Sequence, residues 1–260
     1  MNGLPTAKKS MGQHWLQDKA VLEDIADSVP LSKKDTVVEI GPGTGTLTAE
    51  LAKRAGNVIA IEYDEGLLKP LLGKFKDTNV QIVYADILKY DFSLLPKGYK
   101  VVANIPYYLT SHLLRSLCEQ ENAPAEIALL MQKEVAERVA ALPGQASILS
   151  TIVQLFYEPK LGMIVGPEQF TPPPKVDSQL LILHKRSKPL FDVDQPKFFT
   201  IIKAGFSEKR KKLRSSLAGG MSIGKDEAER MLGAAGIDPN SRAQQLSLEQ
   251  WHNLYKIVYQ

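Results

Sequence analysis

The sequence predicts an α/β fold: a mostly parallel sheet of seven strands, followed by a small C-terminal all-helical domain. Three observations predict it. Between Thr36 and Gln132 short apolar runs alternate with stretches of helical spacing, the order of a parallel sheet with helices on both faces. A glycine cluster ends the first apolar run. Beyond Ser187–Pro196, a break with two prolines and mixed charge, the pattern is helical throughout.

Each element has its own signal. Thr36–Ile40 (TVVEI) is rich in β-branched residues and reads as the first strand. Thr44–Ala55 follows, with Leu47, Leu51 and Ala55 on one helical face. Val58–Ile61 is the second strand, and Asp64–Lys76 a helix with Asp64 as N-cap. Val80–Tyr84 and Lys100–Ile105 are strands three and four, Thr110–Glu119 a helix, Ile127–Met131 strand five, and Lys133 to Leu142 a helix. From Ser147 the order loosens. Ile152–Tyr157 and Leu161–Val165 read as strand or helix and lead to a proline-rich loop, Phe170–Lys175. Leu180–His184 is the last strand. Lys197–Leu217 reads as one helical region with a kink at Gly205, and Lys225–Ala235 as another, with Gly236 as C-cap. Ser247-Leu-Glu-Gln250 is a capping box opening a final helix. The expected domains are residues 1–189 and 190–260.

Composition excludes several classes. The 260 residues are 44% hydrophobic and 23% charged, ordinary values that argue against global disorder. The single cysteine, Cys118, rules out an intrachain disulfide. The four histidines have no metal-site spacing, so no metal is expected. No apolar run has bilayer length, and Met1–Ser10 carries neither a signal-peptide core nor an Arg-rich pattern. The expectation is a cytoplasmic monomer without a membrane partner. A net charge of +3 says little about nucleic acid unless the cations cluster.

The chemistry-bearing residues fall where strands end, the edge at which parallel sheets bind ligands. Gly41-Pro-Gly-Thr-Gly45 lets the chain turn sharply and a ligand approach closely. Its G-x-G-x-G spacing has Thr46 where a dinucleotide fingerprint has its last glycine. Glu62 ends strand two, where a carboxylate can bind ribose hydroxyls, and Asp86 follows strand three. Asn104-Ile-Pro-Tyr107 follows strand four. This tetrad suits methylation of a base amine. The exocyclic nitrogen of adenine is a weak nucleophile because its lone pair is delocalised. The Asn104 side-chain oxygen and a backbone carbonyl of the Ile105–Pro106 turn can take its two N–H bonds and favour a more tetrahedral nitrogen. Proline fixes the turn, and Tyr107 offers a face on which an extruded base stacks.

The glycine loop with acids after strands two and three resembles the S-adenosylmethionine site of the Rossmann-like class I methyltransferases. With the tetrad added, about residues 8–250 resemble the ribosomal RNA adenine dimethyltransferase family, in its small-subunit branch. Gly12-Gln-His-Trp-Leu-Gln-Asp18 is similar to that family's opening motif, with Trp15 in place of the usual Phe. Val38–Thr48 matches the glycine loop, and Phe170-Thr-Pro-Pro-Pro-Lys-Val-Asp-Ser178 the family's proline motif.

The resemblance implies a cofactor, S-adenosyl-L-methionine, with S-adenosyl-L-homocysteine as product. It implies cofactor contacts from Gln13, His14, Leu16, Gly41, Gly43, Glu62, Tyr63, Asp86, Ile87 and Asn104. Phe170 would stack on the target adenine opposite Tyr107. Read from residues alone, Phe170 equally fills a core gap. The implied partner is small-subunit ribosomal RNA in an immature subunit. Lys209, Arg210, Lys211, Lys212 and Arg214 crowd one segment similar to the family's basic helix, and such a run neutralises phosphates. Lys8 and Lys9 add to the expected RNA-contacting set. Three rivals stand beside this reading: a nicotinamide dehydrogenase, a methyltransferase of large-subunit RNA, and a ribosome-assembly factor without catalysis.

Overall fold

The structure, a computed structural model, describes residues 5–8 and 11–259. In chain order the elements are β1 (Trp15–Leu16), α1 (Lys19–Asp27), β2 (Thr36–Ile40), α2 (Thr46–Arg54), β3 (Asn57–Glu62), α3 (Glu65–Lys74), β4 (Val80–Tyr84), β5 (Lys100–Asn104), α4 (Thr110–Glu119), β6 (Glu126–Gln132), α5 (Lys133–Val139), α6 (Ile148–Phe156), β7 (Tyr157–Val165), β8 (Phe170–Thr171), β9 (Ser178–Lys185), α7 (Gln195–Gly205), α8 (Leu213–Met221), α9 (Lys225–Ala234) and α10 (Leu248–Tyr259).

Seven strands form one sheet in the order β4-β3-β2-β5-β6-β9-β7. The pairs from β4 to β6 are parallel, and β9 runs antiparallel to β6. Strand order reverses between β2 and β5, which opens a crevice at their carboxyl ends. Because β9 is antiparallel, its first residue, Ser178, lies at that same edge, opposite Gln132. Register thus fixes what the edge presents: Asn104 sits beside Leu130 of β6, and Glu62 beside Tyr84 of β4.

Apolar periodicity explains the layers. Leu113, Leu114, Leu117 and Cys118 are the buried face of α4, and α2 buries Leu47 and Leu51. Leu47, Leu51, Val37, Val58, Val102, Ala128, Leu130 and Phe170 share one core. Each fully buried Leu or Val stabilises the fold by roughly 1.5–3 kcal/mol.

Contacts divide the chain into two compact units. One runs through Ala136 and resumes over Glu158–Lys185. The other is Glu137–Tyr157 together with the chain from Arg186. This differs from a single boundary at 189/190, because residues 137–157 group with the C-terminal helices. Their bonds say why: Gly144 N–H donates to Gln244 O, Leu190 N–H to Leu155 O, and Phe156 packs edge-on against Phe199.

Two local expectations are corrected and one open reading is resolved. The helix after the glycine loop starts at Thr46 rather than Thr44, since Gly45 takes a left-handed conformation in the N-cap position. The ambiguous stretch after Ser147 is a helix, α6, then a long strand, β7; Ser147 and Ser150 form a reciprocal capping box. The region 197–217 is not one helix. It ends at Gly205, turns through 206–212, and restarts as α8. Trp251 presses so close that a Cβ on Gly205 would meet its ring at 2.4 Å, and four consecutive cations follow at 209–212, like charges that disfavour a continuous helix. The final capping box forms as expected: Gln250 N–H donates to Ser247 Oγ and Ser247 N–H to Gln250 Oε1.

Candidate functional site

The glycine loop, the ends of β3 and β4 and the turn after β5 enclose a cavity of about 280 Å³. Gly41, Gly43 and Gly45 all have positive φ. At Gly43 any side chain is excluded twice, by φ of +58° and by Trp15, whose ring carbon would lie 2.7 Å from a Cβ. The loop therefore offers bare backbone to the cavity.

Glu62 is fixed by that backbone. Its carboxylate accepts from Gly43 N–H at 3.2 Å, Tyr63 N–H at 2.9 Å and Asp64 N–H at 2.7 Å. Burial pushes its pKa above the ordinary carboxylate value, against the pull of these amides. Asp86 caps the short turn Ile87–Lys89 by accepting from Leu88 N–H at 3.0 Å. Tyr63, Asp86 and Ile87 also line the cavity.

The opening motif forms one wall. A two-residue antiparallel ladder pairs Trp15 with Thr171 and Leu16 with Phe170, so the opening and proline motifs are joined by backbone. Thr46 Oγ1 donates to Leu16 O at 3.1 Å. Trp15 packs with Leu67, Leu71 and Phe75. Its indole N–H donates to Pro5 O at 3.1 Å, a bond that a phenylalanine at this position could not make. Gln13 Nε2 donates to Asp64 Oδ2 at 2.9 Å. Lys8 pairs with the same carboxylate at 2.6 Å, so this expected RNA-binding cation already has a protein partner. Lys9 lies outside the described residues.

The tetrad sits at the carboxyl end of β5. Asn104 Nδ2 donates to His14 O at 3.5 Å, leaving Oδ1 as acceptor. Ile105 is buried, and its N–H donates to Leu130 O at 3.2 Å. Pro106 O accepts from Leu109 N–H at 3.0 Å, which leaves Ile105 O as the available carbonyl of the turn. Tyr107 is half-buried; its hydroxyl is 2.8 Å from Ser178 Oγ. The His14 ring stacks on Tyr107 with centroids 5.8 Å apart. Phe170 is 3% exposed and belongs to the core, yet it also lines the cavity.

The sequence patterns assign no role to two residues at this edge. Ser178 is one. The other is Glu39, the fourth residue of TVVEI: it is 2% exposed, lines the cavity, and its Oε2 has no hydrogen-bond partner among the described residues. Burial pushes its pKa up to about 8, and the nearby charge of Glu62 adds to the rise. An acid inside an apolar strand was the available signal, since such a group is buried at a cost unless it has work to do.

Of the basic segment, residues 209–212 lie in the turn before α8, and Arg214 lies in the first turn of that helix. Lys209 and Arg210 are exposed. Lys211 pairs with Glu208, Lys212 Nζ donates to Asn240 Oδ1 at 2.8 Å, and Arg214 pairs with Glu229 at 3.0 Å. Among the described residues no cluster fits a metal ion, and no helix is long and apolar enough to cross a membrane.

A mostly parallel seven-stranded sheet with this glycine loop and these acid-ended strands is the fold of the class I methyltransferases. The model of the ribosomal RNA adenine dimethylase family matches residues 5–260, and the chain belongs to that family. It is 41% identical over 253 residues to ribosomal RNA small subunit methyltransferase A of Dehalococcoides mccartyi (strain CBDB1), covering 95% of this chain and 87% of that protein. The protein of the same name from Clostridium botulinum (strain Langeland) is 39% identical, with 96% and 94% covered. Among solved structures, a dimethyladenosine transferase from Plasmodium falciparum superposes with a TM-score of 0.79 at 25% identity, covering 93% of this chain and 96% of that one. The 23S rRNA methyltransferase ErmE gives 0.76 at 28%, covering 95% and 100%.

Proposed function

We propose that this protein transfers two methyl groups from S-adenosylmethionine to the N6 amine of adenines in small-subunit ribosomal RNA, as part of subunit maturation. One observation carries the chemistry: Asn104, Ile105 and Tyr107 line the same cavity as the glycine loop and Glu62. The names of the curated relatives support the small-subunit substrate.

The cavity wall suits the cofactor. Gly41 and Gly43 admit close approach without side chains, and Glu62 and Asp86 supply acceptors for ribose hydroxyls and an adenine amine. Tyr63 and Ile87 follow those acceptors in the chain, and Gln13, His14 and Leu16 also line the cavity. Glu39 Oε2 adds a polar atom with no hydrogen-bond partner among the described residues. When bound, the cofactor supplies an electrophilic methyl group.

The protein's task is then to present the target nitrogen. Asn104 Oδ1 and Ile105 O accept its two N–H bonds and draw its lone pair out of ring conjugation. Tyr107 stacks on the extruded base, and Phe170 closes the cavity from the proline motif. These acceptors are held before substrate arrives, so little reorganisation is needed at the moment of reaction. No strong base is required, because the methylated ammonium is acidic enough to lose its proton to water. Lys209 and Arg210 contact RNA phosphates from the second unit.

Incubation with labelled S-adenosylmethionine and undermethylated small or large subunits tests the reading. Dimethyladenosine in small-subunit RNA is expected. Label confined to large-subunit RNA would reassign the substrate and leave the catalytic assignment standing. No label in either, with normal cofactor binding, would favour a role in subunit assembly without catalysis.

A further inference from the structure

Tyr107 is held at two points by residues outside its own loop. Its hydroxyl lies 2.8 Å from Ser178 Oγ. Ser178 is completely buried and register-locked opposite Gln132 as the first residue of β9. The His14 ring stacks on the tyrosine at an interplanar angle of 26°. His14 is itself anchored, with Nδ1 2.7 Å from Pro172 O. A carbonyl only accepts, so Nδ1 carries the proton of this bond. One face of Tyr107 is thereby packed against His14. The hydroxyl oxygen lies on the ring's own axis, so its bond fixes where that axis points, while the His14 stack restrains rotation about it.

That placement of the ring matters unequally for two successive methyl transfers. An unmodified adenine amine has two N–H bonds, one for Asn104 Oδ1 and one for Ile105 O. After the first transfer only one N–H remains. The amine must also turn about its C–N bond to bring that remaining N–H and the lone pair back into position. With one acceptor contact gone, the orientation of the base rests more heavily on its stack. We propose that Ser178 is a positioning residue for the second methyl transfer, acting through the Tyr107 hydroxyl to hold the stacking face while the monomethylated base re-docks. This rests on the proposed dimethylation.

The test is Ser178→Ala in the full chain, assayed on undermethylated small subunits, with monomethyl- and dimethyladenosine separated by mass spectrometry. The second transfer should slow by about tenfold relative to the first, the scale of one lost hydrogen bond, so that monomethyladenosine accumulates. The affinity for S-adenosylmethionine should stay within about twofold, a control that sets positioning apart from general damage. Tyr107→Phe removes the same bond from its other end while keeping the ring, and should reproduce the product ratio. The double variant should be no worse than either single one, because both remove one interaction. A wild-type product ratio in Ser178→Ala and Tyr107→Phe, with dimethylation intact in the parent, would overturn this inference alone. Absence of any methylated adenine with the parent protein would remove the proposed function and this inference with it.

Discussion

The rim of the cavity and the turn between α7 and α8 both gather charge, and they hold it differently. Glu62 accepts three backbone N–H bonds and is 6% exposed. Its position is set by strand register and by a glycine loop that excludes side chains. Lys209 and Arg210 stand in solvent on a seven-residue turn, with paired neighbours on both sides: Lys211 with Glu208, Arg214 with Glu229. Charge of the first kind is oriented but nearly insensitive to salt. Charge of the second kind is loosely oriented and strongly screened. A methyl transfer needs the first, and a grip on a polyanion needs only the second.

The contrast breaks most sharply at Asn104. Asn104→Ala removes an acceptor that β5 carries into the cavity, and kcat should fall by about 10²–10³, the usual cost of deleting one preorganised polar group in an active site. RNA affinity should be unchanged, because the exposed cations are untouched. Near-normal turnover with intact cofactor binding would contradict the assigned role.

A smaller effect sharpens the same contrast through pH. Folded Glu39 keeps its proton up to about pH 8, whereas its ordinary value is 4.5. Between these values the folded chain binds the extra proton, so stability falls as pH rises through that window. Glu39→Gln cannot ionise. Its thermal midpoint should therefore drop less than that of the parent between about pH 5 and pH 9, by at least about 2 °C, the lower end of what about 1–2 kcal/mol shifts in a chain of this size. Parallel curves would mean that the buried acid finds compensation when charged.

Much of this was legible because periodicity and strand ends carry so much information. The five parallel strands and the acid and tetrad positions follow from apolar runs that stop at polar residues. What escaped has a physical reason in each case. The ladder between Trp15–Leu16 and Phe170–Thr171 is two residues long, too short for any period, and joins segments about 150 residues apart. α6 is rich in Ile and Val, which lowers its helical signal, and only its Ser147–Ser150 box marks it. The turn 206–212 read as helix because Lys and Arg are good helix formers individually, while Trp251, which presses on Gly205, comes from far along the chain. Glu39 was hidden by the strand that buries it. The association of residues 137–157 with the C-terminal helices is a matter of tertiary contacts, which no local pattern records.

The division between oriented and screened charge is tested most directly by the salt dependence of methyl transfer to small subunits, comparing the parent with the Lys209→Ala/Arg210→Ala double variant. At about 0.1 M salt kcat/KM should be roughly tenfold lower in the variant. The slope of log kcat/KM against log salt should be shallower by about 1–2, with kcat at saturating RNA unaltered. A fall in kcat with an unchanged salt slope would contradict the account, because it would mean that the turn takes part in the chemistry and not in the grip.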